Sequence, residues 1–334
     1  MSKLILAIKE QACTLSDIRI EEYIYHSIES VLLVVIFGIM ARCNTFVKIY
    51  YFMLKHSAWL DKHIKFDLCL PSLSTIKRVI AMISPKKLEI ILNETLKQYL
   101  YKNTNYYSDD DINVKDLKLM DGKVANSSDR KNSKDGKITK TNAMSLYSVT
   151  QETCEATEFI VEKTNEIPTS LELLKRVNIE NCIIVFDAVN TQIKTIEYIT
   201  KNHGFYVASV KSNQPTLEEN IQLFFADEHN YKKEIGKNYY KITEKTHGTV
   251  ETREYLFSND IDWLYQKGEW QIENGLHLYL DMVFLEDKNK CFLENSQKNL
   301  NIICKYVLAL LKRYKAQTKL SMNIIRLNIS MNLS

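Results

Sequence analysis

Proline and glycine are scarce in this chain, at 4 and 8 residues of 334. That scarcity argues against long linkers and low-complexity disorder. Long apolar runs are also missing. The longest, Val31 to Met40, is too short to cross a bilayer and reads better as a buried helix. None of the seven cysteines forms a C-x-x-C pair, so a zinc site is not indicated. Their odd number, with no signal peptide, points to a reducing, cytoplasmic setting. A strong bulk charge is absent as well. The formal net charge is +3, so any nucleic-acid surface has to come from local clustering.

What is present is the mix of an ordinary globular protein, with 45% apolar and 25% charged residues. The length allows one large domain or two smaller ones. Basic residues do cluster. Lys123 to Lys140 holds six against two acidic ones, and from Asn295 onward there are seven against none. A solvated loop and tail would explain these as well as a nucleic-acid surface does.

Residues 1 to about 110 read as helical. Ile28 to Met53 is apolar enough for a core helix pair. Pro71 to Leu92 reads as two helices around a tight joint, where Ser84 and Pro85 give a cap and first-turn signal. Lys77, Arg78, Lys86 and Lys87 there could touch phosphates, but plain packing with exposed lysines is the stronger reading. The polar stretch Asn103 to Asn113 marks a boundary.

Beyond it the pattern turns to strands. Leu117 and Leu119 alternate with polar neighbours and lead to Asp121. Ala143 to Val149 and Glu158 to Val161 read as further strands, and Ser170 to Val177 as a helix. Cys182 to Phe186 is continuously apolar, as in a strand buried on both faces, and ends at Asp187. A helix over Thr191 to Lys201, a strand over Phe205 to Val210 and a helix over Thr216 to Phe225 follow. The alternation implies an α/β sheet covered on both faces. Tyr239 to Phe257 reads as a hairpin turning near His247 and Gly248. Ile272 to Phe284 and Leu300 to Leu311 read as helices.

Ligand sites in such sheets lie off the carboxyl ends of strands. Asp121 and Asp187 occupy such ends. Asp121 precedes Gly122, and the pair would also make a turn. Asp187 follows the most apolar strand, where a carboxylate is costly unless it binds a cation or hydrogen bonds. A third acid would complete a site for hard divalent cations. Two such ions about 4 Å apart activate an attacking oxygen and stabilise a leaving one in phosphoryl transfer. The helix at Ile272 offers Glu273, Asp281, Glu286 and Asp287, and periodicity does not choose among them. His277 lies one turn on from Glu273.

Several segments, in order, carry a family likeness: "PSLSTIKRV" at Pro71, "DGK" at Asp121, "KTNEI" at Lys163, "IIVFDAVNTQ" at Ile183, "KSNQ" at Lys211, "HGTVETREY" at His247 and "WQIENGLHLYLDMVFLED" at Trp270. From about His26 to about Leu327 the chain resembles the ISAs-type DDE transposases of bacterial insertion sequences. The resemblance implies a ribonuclease-H-like mixed sheet flanked by helices, following an all-helical N-terminal domain at residues 1–110 that is a candidate for binding DNA ends. Residues 111–334 would form the catalytic domain, with a shortened β insertion around 230–270. It also implies a triad of Asp121, Asp187 and Glu273 holding two magnesium ions, with manganese as a substitute. The implied reaction is cleavage at the element's terminal inverted repeats, then attack of the freed 3′-hydroxyl on target DNA, by a dimer in the DNA complex. The enzyme would be cytoplasmic and nucleoid-associated when bound. Lys123, Lys163, Lys211, Arg253 and His277 become DNA-contact candidates. Asn165, Glu166, Gln192, Asn213, Gln214, Asn274, Asp281, Glu286 and Asp287 match motif positions with no role assigned; His277 is better suited to hydrogen bonding than to magnesium.

The chain also departs from the family. The stretch between the "HG-x-x-E-x-R" hairpin and the "IEN" helix is normally longer. Here Ile261 to Trp270 joins directly to Gln271, Glu269 stands where a histidine is usual, and the usual arginine region is reduced to Lys267. An in-frame internal deletion explains this, and the alternative reading is a non-catalytic remnant that binds DNA. The ending after "IIRLNISMNLS" reads as clipped.

Overall fold

A computed structural model of the chain describes residues 2–64, 66, 69–100, 106–108, 113–131, 138–160, 166–212, 215–226, 232, 239–246, 249–256, 295–318 and 320–331. Six helices come first: α1 (Ser2–Ala12), α2 (Ile28–Met40), α3 (Phe46–Lys55), α4 (Ser57–Ile64), α5 (Leu73–Met82) and α6 (Pro85–Leu100). Their starts are written in the sequence. The hydroxyls of Ser27, Thr45 and Ser72 accept backbone N–H bonds from Ser30, Lys48 and Thr75 and cap α2, α3 and α5. Pro85 opens α6, where its missing N–H is no loss. Helix α2 is buried all round, as its uninterrupted apolar run predicts. Gly38 lets α3 approach it, since a β-carbon there would sit 3.0 Å from the Ile49 side chain.

The expected boundary at Asn103 to Asn113 holds a short antiparallel ladder of β1 (Tyr107–Ser108) and β2 (Asn113–Val114). A five-stranded sheet follows, built from β3 (Asp116–Lys131), β4 (Ile138–Ser148), β5 (Thr153–Ile160), β6 (Cys182–Phe186) and β7 (Phe205–Ala208). Helices α7 (Glu166–Leu174), α8 (Ile193–Lys201) and α9 (Pro215–Ala226) accompany it, and β8 (Tyr239–Thr246) and β9 (Thr249–Leu256) form the expected hairpin. Helices α10 (Ser296–Thr318) and α11 (Met322–Met331) close the described chain. The strand order is β5-β4-β3-β6-β7. Strand β4 runs antiparallel to β3 and β5, while β3, β6 and β7 run parallel. This is the ribonuclease-H-like arrangement, a mixed α/β sheet.

Both faces of the sheet are covered. Met120, Met144, Leu146, Ile184 and Phe186 pack on Leu173 and Leu174 of α7 and Ile199 of α8. Leu119, Tyr147, Val185 and Val207 face a larger core shared with α10 and the N-terminal helices. Helix α10 is the common wall. Its Asn299 amide donates to the carbonyls of Ile80 (2.6 Å) and Ile83 (2.8 Å), satisfying the end of α5.

Local pattern misjudged three elements. The strand through Asp121 does not end there; it runs to Lys131 because β4 pairs along it, so Asp121-Gly122 is not a turn. The residues from Lys123 to Lys131 are polar enough to read as loop, but the ladder with β4 overrides that preference. Strand β5 starts at Thr153, earlier than its apolar end implies, and α10 is longer than Leu300 to Leu311. The helix expected over Ile272 to Phe284 and the turn at His247 and Gly248 lie outside the described residues. No helix among the described residues is long and apolar enough to cross a membrane.

Candidate active site at the carboxyl edge of the sheet

Strands β3 and β6 pair in parallel from Asp116 opposite Cys182 to Met120 opposite Phe186. The next step of that register sets Asp121 beside Asp187. Adjacent strands lie about 4.8 Å apart, and alternation puts both acids on the face of Leu119 and Val185. Two acids from distant parts of the chain thus follow the last paired residues of neighbouring parallel strands, Asp121 within β3 and Asp187 just past the end of β6. Both are partly exposed. One further step along the β6–β7 pairing brings in Ser209.

Each acid is oriented locally. The Asp121 carboxylate accepts the N–H of Gly122 at 2.8 Å. Asp187 Oδ1 accepts both the backbone N–H (3.2 Å) and the side-chain Nδ2 (2.8 Å) of Asn190. The Thr191 hydroxyl donates towards the Asp187 carbonyl (3.0 Å) and the Ser209 carbonyl (2.7 Å), tying the loop after β6 to the end of β7. These amide and hydroxyl donors fix the direction of Asp187 without neutralising it; no described lysine or arginine pairs with it. Asn190 Oδ1 is buried with no hydrogen-bond partner among the described residues.

A row of polar side chains continues across the sheet from this edge. Asp121 stands opposite Ser145, and Ser145 opposite Thr157. Lys305, buried on α10, donates Nζ bonds of 2.9 Å to both hydroxyls. Beyond them Glu89 of α6 pairs with Arg176, which also bonds Glu158. Burial pushes the Glu89 carboxyl above its ordinary range, while Arg176 and Lys305 oppose that shift.

The expected DNA contacts divide. Lys123 follows Asp121 by two residues on β3 and so lies on its face, and Lys211 is exposed just beyond the end of β7. Both belong to the same edge as the two aspartates. Arg253 sits on β9 of the separate hairpin, opposite Ile242. Lys163, Asn165, Asn213, Gln214, Glu273, Asn274, His277, Asp281, Glu286 and Asp287 lie outside the described residues. Gln192 caps α8 by position and bonds the Val189 carbonyl. Among the described residues no three histidine, cysteine, aspartate or glutamate side chains gather as a metal cluster. In the α5–α6 pair, Lys86 is engaged with Glu158 (3.0 Å) and Lys87 with Ser16 (3.2 Å).

Sequence reasoning assigned no role to Asn190, Thr191, Ser145 or Lys305. The Asp-x-x-Asn spacing at Asp187 is a local turn signal that could have marked Asn190. Nothing local marks Lys305, because its partners lie far back in the chain.

A ribonuclease-H-like sheet with paired acids at the carboxyl edge defines a class of nucleic-acid-processing folds. Comparison with known proteins narrows it. A family model described as "Transposase DDE domain" matches residues 101–311, and one described as "DDE_Tnp_1-associated" matches residues 10–94. The chain belongs to the DDE transposase family. It is 30% identical to the H repeat-associated putative transposase YbfD of Escherichia coli (strain K12), over 74% of this chain and 92% of that one. It is 24% identical to the putative transposase YncI of Escherichia coli O157:H7, over 90% and 85% of the two chains. A cryo-EM structure of a piggyBac transposase synaptic complex with hairpin DNA aligns with 99% of this chain and 77% of that one, at 12% identity and a TM-score of 0.43, too low to bear on the fold.

Proposed function

We propose that the chain is an insertion-sequence transposase that cleaves DNA at its element's terminal inverted repeats and transfers the freed ends to target DNA. One observation carries this reading: the parallel pairing of β3 with β6 runs to Met120 opposite Phe186, so the next residues on the two strands are Asp121, within β3, and Asp187, just past the end of β6. Glu273, assigned by its place in the "IEN" motif, supplies the third carboxylate. The residues fit a hard divalent cation, because the donors are carboxylate oxygens and Asp187 is oriented by amides with no cationic partner among the described residues. Asp121, Asp187 and Glu273 would hold it, magnesium first and manganese as a substitute. When bound, such ions lower the pKa of an attacking oxygen and stabilise a leaving one.

The chain's own groups do the rest. Asn190 and Thr191 hold the Asp187 loop against the end of β7, so the acid keeps its direction before DNA arrives. Lys123 and Lys211 line the same edge and meet the phosphates flanking the reacting bond; Lys163, Arg253 and His277 extend that contact. The chain divides into an N-terminal helical domain at 1–110 for DNA-end binding and a catalytic domain at 111–334, and it acts in the cytoplasm, as a dimer pairing two DNA ends and nucleoid-associated when bound.

The test is magnesium-dependent nicking of duplexes carrying the element's ends. The unaltered chain is expected to nick, and Asp121→Ala, Asp187→Ala and Glu273→Ala are each expected not to. Nicking retained by all three variants rejects the triad. A second reading rests on the short join from Ile261 to Gln271: a remnant that binds DNA in a salt-sensitive way and cuts nothing. Cleavage by the unaltered chain eliminates it; cleavage gained only when the missing segment is restored from an intact relative supports it.

A further inference from the structure

Between Glu29 and Asp61 the sequence contains no acidic residue. This stretch supplies α3 and the first half of α4, which goes on to Asp61 and Lys62. Between the two helices lies a groove of about 860 Å³ lined by Lys48, Tyr51, Lys55, His56, Trp59 and Lys62, with Met331 of α11 at one side. No carboxylate lines it among the described residues. Lys48, Tyr51 and Lys55 follow one another at three- and four-residue spacing, so they form one stripe on α3, and the two lysines are about 10 Å apart along its axis. All three lysines are exposed, and none makes an ion pair with a described residue. Tyr51 is 65% exposed. The opposite wall is rigid: Trp59 packs edge-on against Phe37 (5.2 Å) and His63 (4.7 Å). Buried Arg326 anchors α11 here through the Ile39 carbonyl and Asn44.

We propose that this groove is a second DNA-binding surface, separate from the acidic edge of the sheet, gripping the sugar-phosphate backbone of duplex DNA through Lys48, Lys55 and Lys62 with Tyr51 packed against the sugars. Charge complementarity argues for the occupant. Three exposed ammonium groups line a cleft with no carboxylate in its described lining, Asp61 lying outside it, so an extended polyanion would relieve their mutual repulsion, and a concave cleft suits a strand backbone better than a flat lipid surface. The groove reads shape and charge, not bases, because nothing in the lining offers the paired amide or guanidinium donors that recognise base edges. It also differs from the surface expected on α5 and α6, where Lys86 and Lys87 are engaged with protein groups. The inference rests on the strand-transfer reading for its choice of polyanion.

The experiment is fluorescence anisotropy of the full chain with a labelled random-sequence duplex, in EDTA, as a function of salt. Lys48→Gln, Lys55→Gln and Lys62→Gln combined should lower the slope of log K against log salt by about 2–3 units, at about 0.9 for each phosphate no longer neutralised. A control triple of equal charge change, Lys97→Gln, Lys175→Gln and Lys201→Gln, should leave it unchanged. An unchanged slope in the groove variant, or an equal fall in both triples, overturns the proposal even if nicking by the wild type is intact. Wild-type binding to phosphatidylserine vesicles in place of duplex, abolished in the groove triple, overturns it in favour of a membrane. Absence of wild-type nicking with the slopes as expected overturns the strand-transfer reading and leaves the groove standing.

Discussion

The amino end of strand β3 and the carboxyl end of its neighbour β6 treat charge in opposite ways. At its amino end Lys118 is buried between Asp116 (3.0 Å) and Glu155. Desolvation works against that ammonium, but Glu155 and Asp116 prevail and hold it charged well above the ordinary lysine range. At the carboxyl end of the neighbouring strand, Asp187 is held by amide donors alone among the described residues. The first arrangement is closed: its charges cancel inside the fold. The second is oriented and left uncompensated. A buried ion cluster that cancels its own charge has none left for a ligand, whereas an aimed carboxylate without a described cationic partner has.

The comparison can be broken most decisively at the open end. Asp121→Asn and Asp187→Asn should each cut metal-dependent nicking by about 10³-fold, because metal-bound charge stabilisation is worth several kcal/mol and each ~1.4 kcal/mol is tenfold. Thermal melting should barely move, since asparagine keeps the carbonyl that accepts from Gly122 or Asn190. A large fall in melting temperature would make these acids structural. At the closed end, Lys118→Met should destabilise the chain by about 3–5 kcal/mol in urea unfolding, because it strands the buried Asp116 and the half-buried Glu155 carboxylates. Little change would mean that water reaches the cluster.

Lys312 sharpens the contrast as a half-buried cation with a weaker claim to its charge. Its Nζ donates to the Tyr147 hydroxyl at 2.8 Å, and burial pushes its pKa down to about 8 against the opposing pull of Glu152. Below pH ~8 the lysine is charged in the folded and unfolded chain alike, so the burial penalty is fully present. Between about 8 and the ordinary lysine value the unfolded chain keeps a proton that the folded chain has lost, so this group's contribution to stability rises with pH. Lys312→Met should therefore gain about 1–3 kcal/mol at pH 7, with the gain shrinking as pH rises across that window. A gain independent of pH would assign the effect to packing. Smallest of all, Lys175→Ala, which removes an exposed ion pair with Glu172 (2.6 Å), should change unfolding free energy by less than about 0.5 kcal/mol.

Much of the fold could be read in advance where local signals and tertiary demands agree. Cys182 to Phe186 is apolar throughout because both faces are covered, and the strand has those bounds. The caps at Ser27 and Ser72 and the Ser84–Pro85 joint are chemistry within a few residues. Asp187 was legible for the same reason, as an acid closing an apolar strand. Asp121 was ambiguous, since an Asp-Gly pair is a turn in isolation and becomes mid-strand only when β4 pairs beside it. Lys305 and Glu89 were illegible: their burial depends on partners in distant elements, and a charged residue on a helix looks solvated until another element covers it. The likeness to the transposase family, and not periodicity, singled out Glu273 from Asp281, Glu286 and Asp287.

The central claim is that Asp121, Asp187 and Glu273 converge on one metal site. Iron(II) bound in place of magnesium, with ascorbate and peroxide, cuts the nearby polypeptide backbone, so the cleavage sites map the site without any cognate DNA. Cuts are expected beside all three acids, suppressed together by excess magnesium and by Asp187→Asn. Cuts beside Asp121 and Asp187 with none near Glu273 would contradict the convergence.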